Sequence, residues 1–411
     1  MAITVFTSAF LIDCTGGDPI DGAAVVIEGE RIKDVIASGK VGPLPGKVDT
    51  IDLHGRTLMP GLTDAHVHIC AVEGNIPEQH RHNPPSLIAA KALRRMEQAL
   101  MQGFTTVRDA GGADYGFREA SESGLYPGPR MLVSGRPLSQ TGGHADKRRR
   151  AEWIEPVECC VGMAGMIADG PEEVRKAARE NLRHDVDQIK IMASGGAMSP
   201  GDELDTTQYT VEEMRAAVDE ARAVGKYVLA HAYSGSAVRN AIQAGVRCIE
   251  HGNLLDETGA QAIKQAGAYL VPTMVTYEAI AREGKNYGIG DHQIQKINLA
   301  LEKSLEGLTH AYRAGCKIGH GSDLLGDMQA QRAMEFELKG QVLKPMEVLL
   351  SATMVNAEIF RMTDKIGSVE PGKYADLLVV DGNPLKNLRV FQNQAHLHAI
   401  VKGGAFVKRA L

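Results

Sequence analysis

Two histidines close the stretch MPGLTDAHVH, residues 59–68. In an extended strand, residues i and i+2 share a face, so His66 and His68 project side by side, with Asp64 on the same face before them. Two imidazoles held that way suit a metal ion, although two surface histidines on a loop would leave the same letters. Similar residues recur along the chain. Lys190 sits in QIKIMAS, His231 ends YVLAHA, His251 ends CIEHG and Asp323 closes CKIGHGSD. Most of these runs are largely apolar before the polar residue arrives.

Taken singly, every one has an ordinary alternative. A histidine can be a hydrogen-bonded strand end, Lys190 can carry its charge to the rim, and Asp323 can cap a helix after Gly321 and Ser322. All six would have to be coincidental. Lysine is the odd member, because an ammonium repels a cation. Desolvation lowers a lysine pKa, and the neutral amine takes up CO2 to give a carbamate, with two oxygens like a carboxylate. Four neutral histidines, that carbamate on Lys190 and Asp323 make a ligand set for two divalent ions. Imidazole with carboxylate favours zinc, two Zn2+ per chain.

The elements that position these residues alternate. Short β-branched runs (LMPGLTDAHVH, FTTVRDAG, RMLVSG, QIKIMAS, YVLAHA, CIEHG, YLVPTM, CKIGHGSD) are separated by stretches with helical periodicity. Thr210 and Glu213 form a capping box, and Gly225, Gly245, Gly267 and Gly315 stand where helix C-caps belong. Eight strands, each followed by a helix, predict an α/β protein with a distorted (β/α)8 TIM barrel, whose strand ends gather at one face. An open doubly wound sheet fits less well, since no G-x-G-x-x-G follows the first strand. The ends lack this rhythm, and residues 1–59 and 363–411 read as one small β-sandwich around a barrel of residues 60–362.

Composition limits the partners. The chain has 411 residues and a net charge of −6, so it has no basic field for nucleic acid. The one basic run, Lys147-Arg148-Arg149-Arg150, reads as a solvated loop or as an anion-attracting lid. Six cysteines without a C-x-x-C pair fit a reducing, cytoplasmic setting. No apolar run approaches a membrane span and no signal-peptide layout is present. The long stretch 146–169, with the one tryptophan, Trp153, is a candidate lid.

The run PGLTDAHVH followed by Lys190, His231, His251 and Asp323, with the tail VEPGKYADLLVVDGNP, resembles the amidohydrolase superfamily over nearly the whole chain. The resemblance implies that His66, His68 and Asp323 bind one metal and His231 and His251 the other, with carboxylated Lys190 bridging them. A metal-bridging hydroxide would attack an amide carbonyl, with Asp323 as general base and then acid. Through TGGH, KIMASGG and HAYS the sequence resembles the subgroup of Xaa-Pro dipeptidases (prolidases) and N-acyl-amino-acid hydrolases, related to imidazolonepropionase-like proteins. The expected substrate is a dipeptide or similar small molecule with a free carboxylate, held by His144 in QTGGHAD and Tyr233 in HAYS, in a homo-oligomer. Alternatives are a carboxypeptidase for C-terminal Arg or Lys, for which Asp202, Glu203 and Asp205 are the acidic candidates, a cyclic amidohydrolase or deaminase, and a non-enzymatic scaffold. His320 departs from the smaller or apolar residue of related proteins, and either lines the pocket or sits behind the metal.

Overall fold

Eight short parallel strands build the centre of the protein: Leu62–Val67, Phe104–Asp109, Arg130–Leu132, Ile189–Met192, Val228–Ser234, Cys248–Leu254, Tyr269–Val271 and Lys317–Ile318. This computed structural model describes residues 2–153, 161–199 and 201–411. The strands pair in chain order, with two seams in the ladder. At one seam the Asp187 N–H donates to the Val133 carbonyl at 2.8 Å. At the other the Ala65 N–H donates to His320 O at 2.7 Å, and Asp323 N–H to His66 O at 2.8 Å. The eighth strand thus returns to the first, and the (β/α)8 barrel closes. These seams are its distortion.

Local sequence sets the helices between the strands. In Val211–Ala223 the Thr210 side chain accepts from Glu213 N–H while Glu213 caps Thr210 in return. Gly245, Gly267 and Gly315 end their helices in left-handed geometry, and Gly225 stands one place beyond its helix cap at φ +74°. Between the third and fourth barrel strands the chain adds a small pair, Leu138–Ser139 and Met166–Ile167, that sequence periodicity did not reveal because each is two residues long. The loop carrying His144 lies between them.

Both chain ends form a single eight-stranded sheet. Its order runs Ala405–Arg409, Leu397–Lys402, Leu377–Val380, Thr57–Pro60, Ile3–Leu11, Ile20–Glu28, Arg31–Ile36, with Val48–Asp52 also paired to Ile3–Leu11. It has its own core, including Phe6, Val25, Ile27, Leu58, Leu377, Val379 and Val401. Thr57–Pro60 pairs antiparallel with Leu377–Val380 and passes through Gly61 into the first barrel strand. The sheet therefore anchors the strand that carries His66. No helix among the described residues is long and apolar enough to cross a membrane. Cys14, Cys248 and Cys316 are free thiols; Cys159 and Cys160 lie outside the described residues.

Candidate metal centre

The C-terminal ends of the first, fourth, fifth, sixth and eighth strands bring His66, His68, Lys190, His231, His251 and Asp323 to the wall of one pocket. The Nε2 atoms of His66 and His68 stand 3.3 Å apart. Asp323 Oδ1 is 3.2 Å from His68 Nε2 and 3.6 Å from His66 Nε2, and its Oδ2 is 3.9 Å from a ring nitrogen of His251. One donor atom each from His66, His251 and Asp323 lie within 4.8 Å of one another. The His231 and His251 rings are 4.6 Å apart, centre to centre. His251 and Asp323 hold φ of +78° and +52°, a region that costs a side-chain-bearing residue energy and persists where surrounding structure imposes it.

The outer ring of partners settles which nitrogens face inward. His66 Nδ1 lies 2.7 Å from Glu250 Oε2, His68 Nδ1 2.7 Å from Gly111 O, and His231 Nε2 3.0 Å from Gly195 O. Each acceptor takes a ring N–H and leaves the other nitrogen with its lone pair. Two bare Nε2 lone pairs at 3.3 Å repel unless a cation sits between them. The donor set therefore fits divalent metal, and oriented histidines of this kind are its usual setting. His251 Nδ1 meets Thr273 Oγ1 at 2.8 Å.

Burial keeps most of these groups neutral. It pushes His66 and His251 well below the ordinary histidine value, helped by the charge of Lys190 in His66 and by His231 in His251. His231 is lowered to about 3, by burial first and Lys190 second. His68 is the exception, because the hydrogen bond and charge of Asp323 outweigh burial and raise it. Lys190 is pushed down to about 8 by burial, against the pull of Glu250 and Asp323. Stripped of metal, the protein is expected to lose stability as pH falls from 6.5 towards 3. Over that range the unfolded chain takes up protons that folded His66, His231 and His251 refuse, so stability rises with pH. Thermal unfolding of chelated protein across the range reads this, and a flat profile would contradict it.

Sequence reasoning missed the support beneath the site. Glu250 and Arg108 are both wholly buried. Arg108 Nη2 donates to Glu250 Oε1 at 2.7 Å and its Nε to Ala65 O at 2.6 Å, so the carboxylate that orients His66 is itself held by a guanidinium. The signal was present, as Arg108 within the apolar run FTTVRDAG and Glu250 within CIEHG. Glu250→Gln should weaken metal affinity about 10–100-fold with the fold retained. Metal titration of the variant tests this, and unchanged affinity would remove Glu250 from the account.

Above the histidines, the His144 ring stacks on His231 at 4.3 Å and 16°. Gly196 lacks the Cβ that would otherwise lie 2.1 Å from that ring. His144 Nδ1 meets Ser199 Oγ at 2.8 Å. Buried Lys296 donates to the carbonyls of Gly196, Ser199 and Asp202, each at 2.8 Å, and fixes the loop that holds both rings. Tyr233 accepts a 2.8 Å hydrogen bond from Tyr277. His144, Tyr233 and Lys147 line the pocket among Ile76, Met163, Met192, Met198, Ile280 and Leu325.

Other expected residues fall elsewhere. Asp202 is bound to Gln208 and Ser199, Glu203 pairs with His292, and Asp205 is exposed, so none lines the pocket. His320 does not line it either. It is packed behind the centre, 4.4 Å from the Phe336 ring and 5.7 Å from that of Phe104, and burial with Lys339 and Arg332 nearby keeps it neutral. In the basic run, Arg148 pairs with Asp146 and Arg149 with Glu78, while Lys147 alone reaches the pocket. Of the candidate lid 146–169, residues 154–160 lie outside the described residues; Trp153 is 91% exposed.

Ochratoxinase of Aspergillus niger is 29% identical to this chain, over 99% of it and 87% of the ochratoxinase. A solved prolidase complexed with N-methylphosphonate-L-proline is 44% identical, with a TM-score of 0.95 over 99% of this chain and 100% of that one. A solved Xaa-Pro dipeptidase with methionine bound in its active site is 30% identical, with a TM-score of 0.89 over 99% and 100%. The amidohydrolase family matches residues 57–407, a span that contains every residue of the cluster. The chain belongs to the amidohydrolase family and is a hydrolase acting on C–N bonds.

Proposed function

We propose that the protein hydrolyses the amide bond of dipeptides or N-acyl amino acids, with Xaa-Pro dipeptides as its preferred substrates. The observation that carries this reading is the lining of the pocket. Among the described residues, the polar groups on its wall beyond the six clustered ones are Lys147, His144, Thr276 and the tyrosines Tyr233 and Tyr277, the rest being apolar, and Asp323 is the one carboxylate. Such a wall accepts a substrate with one carboxylate and an apolar ring, and among the described residues it offers no further carboxylate to the side chain of a C-terminal Arg or Lys. The likeness to a prolidase that holds a proline phosphonate adds to this.

In this reading His66, His68 and Asp323 would hold one zinc ion and His231 and His251 the second, with Lys190, as a carbamate, supplying a further oxygen ligand. The neutral amine of Lys190 adds CO2 and releases a proton to solvent. When bound, two such ions lower the pKa of water towards neutrality and polarise a carbonyl. Asp323 takes the proton of the attacking water and delivers it to the leaving nitrogen. His144 and Tyr233 hold the amide carbonyl and the substrate carboxylate, and Lys147 adds positive charge on the carboxylate side. The apolar wall excludes water from the rest of the substrate.

Amino-acid release from a panel of Xaa-Pro dipeptides, other dipeptides and N-acyl amino acids tests the proposal on zinc-loaded protein. Proline release well above that of any other C-terminal residue is expected. Release of a different residue keeps the peptidase and moves its preference. Ammonia release or ring opening, with no amino acid freed by any substrate, would overturn the proposal in favour of a deaminase or cyclic amidohydrolase.

A further inference from the structure

At the opposite end of the barrel, where strands Val228–Ser234 and Cys248–Leu254 begin, lies a second cavity of about 320 Å³. Among the described residues, its wall carries Arg222, Lys226, Arg247 and Arg361 and no carboxylate. Arg222 and Lys226 follow one another at the end of helix Val211–Ala223, while Arg247 and Arg361 are brought beside them from later in the chain. Lys226 pairs with Asp185 at 3.4 Å. Among the described residues, no carboxylate lies within 4.0 Å of Arg222, Arg247 or Arg361.

The guanidiniums are set rather than merely crowded. Those of Arg247 and Arg361 lie 5.8 and 5.4 Å from the centre of the Tyr227 ring, and that of Arg247 is also 4.9 Å from the centre of the Tyr269 ring. Contact with an aromatic face holds such a group in place while its N–H edge stays available. The Nε of Arg247 is buried without a hydrogen-bond partner. Gly245 leaves room for Arg222, whose Nη2 would be 3.3 Å from a Cβ there.

Helix ends offer a competing use for these cations. Four helices, Val211–Ala223, Gly235–Ala244, Glu257–Ala266 and Met354–Phe360, finish around the cavity. Arg247 Nη2 donates to Glu358 O at 2.9 Å, and Arg361 Nη1 donates to Gly225 O. Each helix end contributes about half a negative charge, roughly two in all. Adding Asp185, the four cations still leave about one positive charge uncompensated, in a protein whose net charge is −6.

We propose that this cavity binds a phosphate group, as inorganic phosphate or a small phosphomonoester. Several guanidinium edges from different directions match a tetrahedral dianion better than the planar carboxylate, which one fork already satisfies. The site is separate from the metal centre, and its existence does not depend on the substrate assigned above.

The test is calorimetric titration of the metal-loaded protein with inorganic phosphate and glycerol phosphate, at constant ionic strength so that screening is equal throughout. Saturable binding is expected, with a matching rise in melting temperature. Phosphate can also reach the metal centre, so the titration is repeated on Arg222→Gln/Arg361→Gln. Both side chains are exposed, and the substitution is expected to keep the fold. Affinity should fall at least about tenfold in this variant. Arg222→Lys/Arg361→Lys, with charge kept, should bind between the two. Equal binding in wild type and the glutamine variant would place the anion elsewhere and overturn the proposal, as would no saturable binding by either ligand.

Discussion

Lys190→Ala is expected to lose at least about 10³-fold in kcat/KM, on the order of 4 kcal/mol of transition-state stabilisation. The reason is position and environment together. Lys190 is 1% exposed on the fourth barrel strand, within the same pocket wall as all four histidines and Asp323. An ammonium there would repel metal, whereas burial brings its pKa down to about 8, where a useful fraction of amine is neutral at ordinary pH. If Lys190 carries the proposed carbamate, alanine removes it and opens a space the size of the missing side chain. A small carboxylic acid such as acetate or propionate should enter that space and restore part of the activity, and metal content should recover with it. Assays with and without the acid read both effects. Full activity in the unrescued variant would exclude the carbamate.

Asp323→Asn should lower kcat by about 10²–10⁴-fold, the range of a lost general acid–base group, with a smaller change in KM. Its carboxylate is 3.2 Å from His68 and 3.6 Å from His66, close enough to serve both the metal and the proton transfer. The amide of asparagine keeps the shape but accepts no proton. Asp323→Glu should not rescue, because an extra methylene moves the oxygens away from a geometry fixed at φ +52°. Steady-state kinetics on metal-saturated variants separate the two parameters. A rise in KM alone, with kcat intact, would make Asp323 a binding group and leave the proton transfer to another residue.

The barrel was legible in the sequence because its strands are short apolar runs broken by turn signals, and the cluster because most of its members close such a run, with Lys190 set inside one. Glu250 and Arg108 also interrupt apolar runs, but two opposite charges on strands about 140 residues apart reveal their pairing only once the barrel closes. The backbone acceptors Gly111 O and Gly195 O could not be read at all. They depend on loop conformation, to which side-chain patterns are blind. Lys296 escaped notice for a related reason: its three partners are carbonyls of a loop 94–100 residues away. His320 was placed between two alternatives, and packing against Phe104 and Phe336 decided the matter through contacts between distant elements. Substrate preference was the least legible, because it rests on which side chains line one pocket, and that is set by loops rather than by strand periodicity.

Activity measured against metal content tests the central claim most directly. Chelated protein is titrated with zinc, and amide hydrolysis is followed at each step with bound metal counted by mass spectrometry. The account predicts that activity rises from near zero and saturates at two equivalents per chain. Full activity in metal-free protein, or saturation at one equivalent with no second ion bound, would contradict it.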